Sequence, residues 1–186
     1  MEVLTTFDRE LLLLIQGLIG SERWDFFWLW ITKKENSLPI YLIVLFLAQR
    51  QLGWKKFALL LGVLVLLITT SDQVTNLFKN SFMRLRPCHD PVVSGLIRPL
   101  DICSGRFSFF SGHASNSFSF AMFFALILAN RWRNLLFFWA FLMAFSRVYL
   151  GVHYPLDIIT GTLFGLFWGI LFSKVFFKIS TYLDSK

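Results

Sequence analysis

The stretch "FSFFSGHASNSFSFAMFFALILAN", residues 107–130, changes from polar to apolar about halfway along its length. Ser111, Gly112 and His113 open the part that continues into an apolar run, and further serines and an asparagine follow them closely. A polar group that leaves water without gaining a partner costs roughly 1–3 kcal/mol. The start of this segment must therefore offer partners to its polar groups, either in the protein or in a bound ligand.

The composition is that of a membrane-embedded protein. Of the 186 residues, 56% are hydrophobic and 16% are charged, and the mean hydropathy is +0.62. A soluble domain has about 45–50% apolar and about 25% charged residues. The length predicts a single domain, residues 1–186. The net charge of +7 fits cytoplasmic loops, anionic headgroups or an anionic substrate, and no nucleic-acid partner is expected.

Five segments are candidate membrane spans, since a crossing helix needs about 20 largely apolar residues. The second of them is expected to continue as helix to about Lys79. The segments are Leu38–Gln49, Phe57–Thr70, Ala114–Asn130, Leu135–Leu150 and Pro155–Phe177.

The first third of the chain is more ambiguous. "FDRELLLLIQGLIG" has apolar residues at helical spacing but is short for a crossing, which predicts an interfacial N-terminal helix. "RWDFFWLWITKK" is aromatic and also short, which predicts a crossing that is short or tilted. The fold class is therefore an all-α integral membrane bundle of five or six spans. A signal peptide is not expected, because Asp8, Arg9 and Glu10 precede the apolar run.

The connections between the spans alternate between two sides of the membrane. One side carries mostly cations, among them Arg50, Lys55, Lys56, Arg131 and Arg133, and the positive-inside rule assigns it to the cytoplasm. The opposite side, which would face the periplasm or exterior of a bacterial inner (plasma) membrane, is basic as well. The positive charges on this side therefore need an explanation other than the positive-inside rule.

Three segments that end on this outer side carry reactive side chains. They are "KNSFMRLRP", with Lys79 and Arg86, "FSGH", which opens a membrane helix, and "SRVYLGVHYPLD". The last contains Arg147, His153 and Asp157. A single cation at a membrane edge usually belongs to lipid headgroups, but two histidines at different helix starts beside three cations indicate a site.

Phosphoryl transfer is the chemistry that suits this set. A phosphate monoester carries close to two negative charges, and arginine forks and a lysine match its oxygens. A helix start presents unpaired N–H groups, and Ser111 and Gly112 would let that backbone approach the anion closely.

Of two imidazoles, one can attack phosphorus as a nucleophile and the other can protonate the leaving oxygen. His153 and Asp157 are four residues apart, so the carboxylate can hold one ring nitrogen and leave the other free to attack. No cluster of carboxylates stands ready to hold magnesium. We therefore expect metal-independent chemistry without a cofactor.

At these residues the sequence resembles the type 2 phosphatidic acid phosphatase (PAP2) family, whose signature is K-x6-R-P, P-S-G-H and S-R-x5-H-x3-D. The first and third motifs match completely, and Phe110 replaces the proline of the second. The resemblance covers residues 79–157 and implies a six-helix core with the site at the outer membrane surface, which favours six spans.

The resemblance also implies roles for individual residues. His153 would be the nucleophile that forms a phosphohistidine, Asp157 would orient it, and His113 would be the acid for the leaving group. The phosphate would be held by Lys79, Arg86, Arg147, Ser111 and Gly112.

The leading hypothesis is thus a phosphatase acting on a lipid phosphate or diphosphate at the outer leaflet. Candidate substrates are undecaprenyl diphosphate, phosphatidylglycerol phosphate, phosphatidic acid and lipid A phosphates, and the sequence does not choose among them. The alternative is an anion channel or transporter with a cation-lined path, which predicts charges in the middle of spans. The spans hold almost none, apart from Asp72 near a helix end.

Several features stay open at this level. Arg84, Arg98 and Arg106 fit either a large headgroup or a solvated loop, and His89 fits the site rim or a solvated loop. Cys88 and Cys103 fit a disulfide or two free thiols. Partners beyond the substrate and membrane lipids, including an oligomer, are not indicated.

Overall fold

The computed structural model describes residues 2–98, 100, 102–128 and 130–185. The described residues form six α-helices joined by short 3-10 turns and one long loop. The helices are α1 Glu2–Ile19, α2 Glu22–Thr32, α3 Leu38–Phe82, α4 Gly112–Ile127, α5 Arg133–Tyr149 and α6 Pro155–Asp184.

Helix α3 is broken at Gly53, which divides it into residues 38–52 and 54–82. Gly53 has φ +73°, a conformation that glycine adopts without the steric cost of a Cβ. An unbroken helix of 45 residues would be about 68 Å long, more than twice the hydrocarbon thickness of about 30 Å. The break confirms the turn that separates the first two predicted spans.

The predicted spans fall on the two halves of α3 and on α4, α5 and α6. Within the part of the chain that the structure describes, two helical stretches could cross a membrane by length and composition, Lys34–Phe82 and Pro155–Asp184. Helices α4 and α5 have 16 and 17 residues. Helix α2 has 11 residues, so it is about 16 Å long and roughly half of a crossing. The all-helical fold is confirmed, and the count of six spans stays a prediction.

Helix α1 is tied to the rest of the bundle by buried polar side chains. Leu12 and Asp8 are both fully buried, and the Gln16 amide donates to the carbonyl of Tyr149 at 3.0 Å. A helix held only by lipid would bury apolar side chains alone. This helix therefore takes part in the protein core as well.

Helix α4 lies at the centre, and α6 packs against it very closely. A Cβ atom added at Gly161 would lie 2.6 Å from the Ser111 carbonyl oxygen, and one at Gly165 would lie 2.5 Å from that of Ser115. Small residues at this spacing let helix backbones approach each other in membrane proteins. The contact fixes the start of α4 against the start of α6, where the predicted site residues lie.

The long loop between α3 and α4 is fastened at several points. Cys88 and Cys103 form a disulfide with Cα atoms 6.3 Å apart, which decides between the two alternatives left open by the sequence. Leu85 and Phe107 form a short antiparallel bridge. The loop is thereby fastened between the end of α3 and the start of α4.

Candidate active site

Five helix ends and turns bring the predicted residues to the same side of the bundle. Lys79 lies in the last turn of α3, His113 in the first turn of α4 and Arg147 in the last turn of α5. His153 lies in the turn before α6, and Asp157 in the first turn of that helix. The charged groups that interact electrostatically with His113 include Arg147, His153 and Lys79. The three motifs therefore meet as one site.

His153 and Asp157 form the expected pair. The Nδ1 atom of His153 lies 3.3 Å from Oδ2 of Asp157, which also accepts the backbone N–H of Tyr154 at 2.9 Å. His153 is 1% exposed and Asp157 is fully buried. Because of burial, and then the positive charges of Arg147, Arg86 and Lys79, the pKa of His153 is well below its usual value. The ring is therefore neutral near pH 7, as a nucleophile must be.

Two buried arginines present unused hydrogen-bond donors. Nε of Arg86 donates to the carbonyl of Phe107 at 3.2 Å, and Nη1 of Arg147 donates to Oγ1 of Thr32 at 2.5 Å. Among the described residues, Nη1 of Arg86 and Nε of Arg147 are buried without a hydrogen-bond partner. Buried charged groups normally have partners, so these donors suit an anion.

The start of α4 is built as a capped helix N-terminus. Oγ of Ser111 accepts the N–H of Ala114 at 3.4 Å, and the Ser111 N–H donates to the Asp157 carbonyl at 3.1 Å. Phe110, which replaces the family's proline, is fully buried and stacks on Phe164 at 4.6 Å.

The other polar side chains of α4 make hydrogen bonds inside the protein, although among the described residues Oδ1 of Asn116 is buried without a partner. Each bonds to a neighbouring helix or to the backbone of its own helix. The pairs are Ser115 with Ser71 (2.8 Å), Asn116 with Asp72 (2.7 Å), Ser117 with the His113 carbonyl (2.7 Å) and Ser119 with the Asn116 carbonyl (3.0 Å).

A cavity of about 290 Å³ adjoins His113. Lys34, Asp72 and Asn116 line its polar part. The remainder is almost entirely apolar and lies between both halves of α3, α4 and α5, lined by Tyr41, Leu45, Leu64, Ile68, Phe120 and Met143. A cavity with a polar end and an apolar body suits an amphipathic molecule.

Several loop charges have structural partners that the sequence did not predict. Arg84 bonds Asp8 and Asp157, and Arg98 pairs with Asp25. Both are therefore engaged in ion pairs, and their side chains are 21% and 23% exposed. Arg106 lies near the Phe107 ring.

His89 is exposed, with Nε2 at 3.5 Å from the Cys103 sulfur. In the part of the chain that the structure describes, Cys88, His89 and Cys103 are the one group of three possible metal ligands, and their two sulfurs are joined to each other. Of the two alternatives for His89, its exposed position beside the disulfide favours the solvated loop.

Sequence reasoning missed two residues at the site. Asp8 lies far from the motifs along the chain, but it is fully buried beside Arg84. Lys34 lies outside the three motifs, but it lines the cavity with His113. The segment "FDRELLLL" gave a reason to expect a buried contact of Asp8, because a carboxylate that is buried with an apolar helix needs an ion-pair or hydrogen-bond partner.

Known proteins resemble this chain along most of its length. It is 34% identical over 188 residues to the lipid A 4'-phosphatase of Bacteroides thetaiotaomicron, covering 99% of this chain and 83% of the relative. It is 30% identical over 183 residues to the lipid A 4'-phosphatase of Porphyromonas gingivalis, covering 95% and 75% of the two chains.

Solved structures share the fold. The PAP2 type phosphatidylglycerolphosphate phosphatase of Bacillus subtilis aligns with a TM-score of 0.74 at 21% identity, over 96% of this chain and 89% of the other. LpxE of Aquifex aeolicus aligns with a TM-score of 0.67 at 24% identity, over 89% and 93%.

The family model of the PAP2 superfamily matches residues 56–180, a range that contains all three motifs. This match confirms the resemblance found in the sequence and disfavours the channel hypothesis. The chain belongs to the PAP2 superfamily and is a phosphatase.

Proposed function

We propose that this protein removes the 4'-phosphate of lipid A, or of a closely related glycolipid, through a phosphohistidine on His153. The observation that carries the mechanism is the buried His153–Asp157 pair facing two arginines with unused donors. The substrate is favoured by the two lipid A 4'-phosphatases that resemble the chain over nearly its full length.

The reaction would run in two steps. In the first, Nε2 of His153, the ring nitrogen that does not face Asp157, attacks phosphorus, the bond from phosphorus to the lipid oxygen breaks, and His113, which enters this step as the imidazolium, gives that oxygen a proton. In the second, His113 takes a proton from water, the water oxygen attacks phosphorus, and the nitrogen–phosphorus bond breaks. Inorganic phosphate leaves, and both histidines return to their starting states.

The cations act mainly on the charge of the transition state. Arg86 and Arg147 would each turn an unused N–H towards the equatorial oxygens, and Lys79 would add a compact charge. Asp157 would hold Nδ1 of His153 and stabilise the positive charge that the ring gains when it is phosphorylated. No step requires a metal, so we expect activity in the presence of a chelator.

The cavity beside His113 supports a lipid as the leaving group. His113 would protonate the lipid oxygen at the polar end, and the apolar body of the cavity would take part of the lipid's hydrocarbon. The site would then face the outer leaflet of the inner membrane. We propose that residues 1–186 work as one such domain.

The direct test uses the purified protein in detergent with EDTA. Lipid A carrying phosphates at positions 1 and 4' should lose the 4'-phosphate, as seen by mass spectrometry, and lipid A that lacks the 4'-phosphate should release none. Undecaprenyl diphosphate, phosphatidylglycerol phosphate and phosphatidic acid should give lower kcat/KM. Faster release from any of these three would overturn the proposed substrate.

The mechanism has a separate test within the same protein. Brief reaction with substrate carrying ³²P at the 4' position, followed by alkaline denaturation, should leave acid-labile label on the chain. His153→Ala should remove both label and turnover, whereas His89→Ala is the matched control because His89 is exposed beside the disulfide. Label that persists in His153→Ala would exclude His153 as the nucleophile.

A further inference from the structure

The N-terminal helix reaches the catalytic carboxylate through a single arginine. Nη2 of Arg84 lies 2.6 Å from Oδ2 of Asp8 on α1, and Nη1 of the same guanidinium lies 3.0 Å from Oδ1 of Asp157 on α6. The other oxygen of Asp157 faces His153. Asp8, Arg84, Asp157 and His153 therefore form one continuous chain of contacts.

Asp8 and Arg84 are each held in place by a further contact. The second oxygen of Asp8 accepts the backbone N–H of Leu156 at 2.9 Å, so Asp8 also binds the first turn of α6. The guanidinium of Arg84 lies over the ring of Tyr154, with its central carbon 4.0 Å from the ring centroid. Both carboxylates are fully buried. A buried arrangement this well bonded has one geometry rather than several.

The charges explain why two carboxylates share one arginine. His153 is surrounded by the positive charges of Lys79, Arg86 and Arg147, and Asp157 is the carboxylate that contacts the ring. If Arg84 faced Asp157 alone, it would offset much of the negative charge that His153 needs. Asp8 supplies a second negative charge to Arg84, so Asp157 keeps more of its own for the ring.

We propose that Asp8 and Arg84 are positioning residues for catalysis: Arg84 orients Asp157, and Asp8 balances the charge of Arg84. The inference rests on the proposed role of His153 as nucleophile. It gives the N-terminal helix, which lies outside the three motifs, a part in the reaction itself. Neither residue touches the substrate in this arrangement.

The first test measures the His153 ring directly and does not depend on turnover. The chain has three histidines, so a His89→Gln, His113→Gln background leaves His153 as the one histidine signal in NMR of protein labelled with ¹³C-histidine. Removing a nearby negative charge lowers the pKa of a histidine, and removing a positive charge raises it. Asp8→Asn should therefore move the titration midpoint of His153 to lower pH, and Arg84→Gln should move it to higher pH.

Opposite shifts are expected if the charges of Asp8 and Arg84 act on the His153 ring through Asp157. Shifts in the same direction, or no shift in either variant, would mean that Asp8 and Arg84 serve only to attach α1, and the proposal would be wrong. Asp8→Asn is a mild change, because the remaining amide oxygen can still accept the N–H of Leu156.

The second test measures turnover in the otherwise unchanged protein. Asp8→Asn should lower kcat about tenfold and Arg84→Gln by more, with KM within about twofold of the original, since the lost interactions act on the nucleophile and not on binding. Arg84→Lys should recover part of the loss. The double variant should fall less than the product of the two single losses, because both act through Asp157.

Arg9→Gln is the matched control. Arg9 is the next residue on α1 and pairs with Asp90, which accepts the Tyr154 hydroxyl at 2.6 Å. Loosening of α1 alone would lower kcat in Arg9→Gln as much as in Asp8→Asn and would contradict the proposal. If the parent protein is active and Asp8→Asn has the same kcat, the positioning role of Asp8 would also be contradicted, while the phosphatase function would stand. A parent protein that releases no phosphate from any lipid tested would instead contradict the proposed function. The NMR titration would still show whether the charges of Asp8 and Arg84 act on His153.

Discussion

The two ends of the helical bundle use charges in opposite ways. At the end opposite the site, Lys56 and Asp184 form an ion pair of 2.7 Å whose side chains are 32% and 58% exposed. At the site, Asp8 and Asp157 are fully buried around Arg84, while Arg86 and Arg147 are buried with unused donors. An exposed pair contributes about 0–1 kcal/mol, since water screens it and either partner can be solvated instead.

The difference shows how burial turns basic residues into a site. A buried charge without a partner is costly, so a fold keeps one only where something balances it. At the site end the balance comes from Asp8 and Asp157 for Arg84, and in the proposed mechanism from the substrate phosphate for Arg86 and Arg147. At the other end no such constraint exists. Equal substitutions at the two ends should therefore have very unequal effects.

The largest effect is expected from Arg147→Lys. Lysine keeps the charge but loses the planar fork, and with it the Nη1 bond to Thr32 and the unused Nε donor. We expect kcat/KM for lipid phosphate to fall at least about 100-fold, which is roughly 3 kcal/mol of transition-state stabilisation. Steady-state kinetics in detergent measure it. Lys56→Gln at the opposite end is the control and should stay near the parent rate; equal losses in both variants would remove the contrast between the two ends.

A smaller effect is expected from Gly161→Ala, which tests how the site end is packed. The new Cβ would lie 2.6 Å from the carbonyl oxygen of Ser111, so α6 and the start of α4 must move apart. We expect a stability loss of about 1–3 kcal/mol, seen as a lower Tm, together with reduced turnover. Gly62→Ala is the matched control, since no atom lies within 4 Å of its added Cβ. A Gly161→Ala protein as stable and active as the control would show that the close contact is dispensable.

The smallest effect is expected from Lys34→Gln, at the edge of the site. Lys34 lines the cavity with His113, whereas Lys33 is not among the residues that line it. Both are exposed. We expect a rise of about three- to tenfold in KM for lipid A, with kcat little changed, because an exposed cation adds binding but little catalysis. Lys33→Gln should leave KM unchanged, and a similar rise in both variants would assign the effect to the general charge of the membrane surface.

Much of the fold was predictable because its signals are local. Apolar runs of sufficient length marked the helices, and the interval between the first two predicted spans, residues 50–56, contains the break at Gly53. The N-terminal third was harder. Helix α2 has the composition of a membrane helix but only about half the length of a crossing, and α1 combines a lipid-facing surface with buried polar contacts to α5 and α6.

The reactive residues were predictable for a similar reason. His153 and Asp157 lie four apart at a helix start, so their contact follows from helix geometry. Arg84 was not predictable in this way. Its partners lie 76 and 73 residues away along the chain, and no local pattern distinguishes it from the solvated loop charge that it resembles.

By itself, the sequence determined that the chain is helical and apolar enough for a membrane protein, and it predicted a set of phosphate-binding residues, because apolar length and motif spacing are properties of single segments. Only the tertiary structure decided which arginines are balanced by carboxylates and which keep donors free, since that depends on how α1, the long loop and α6 meet. It also placed Lys34 beside His113 at the mouth of an apolar cavity. Segments far apart in the chain share these contacts, and burial gives each contact its energy.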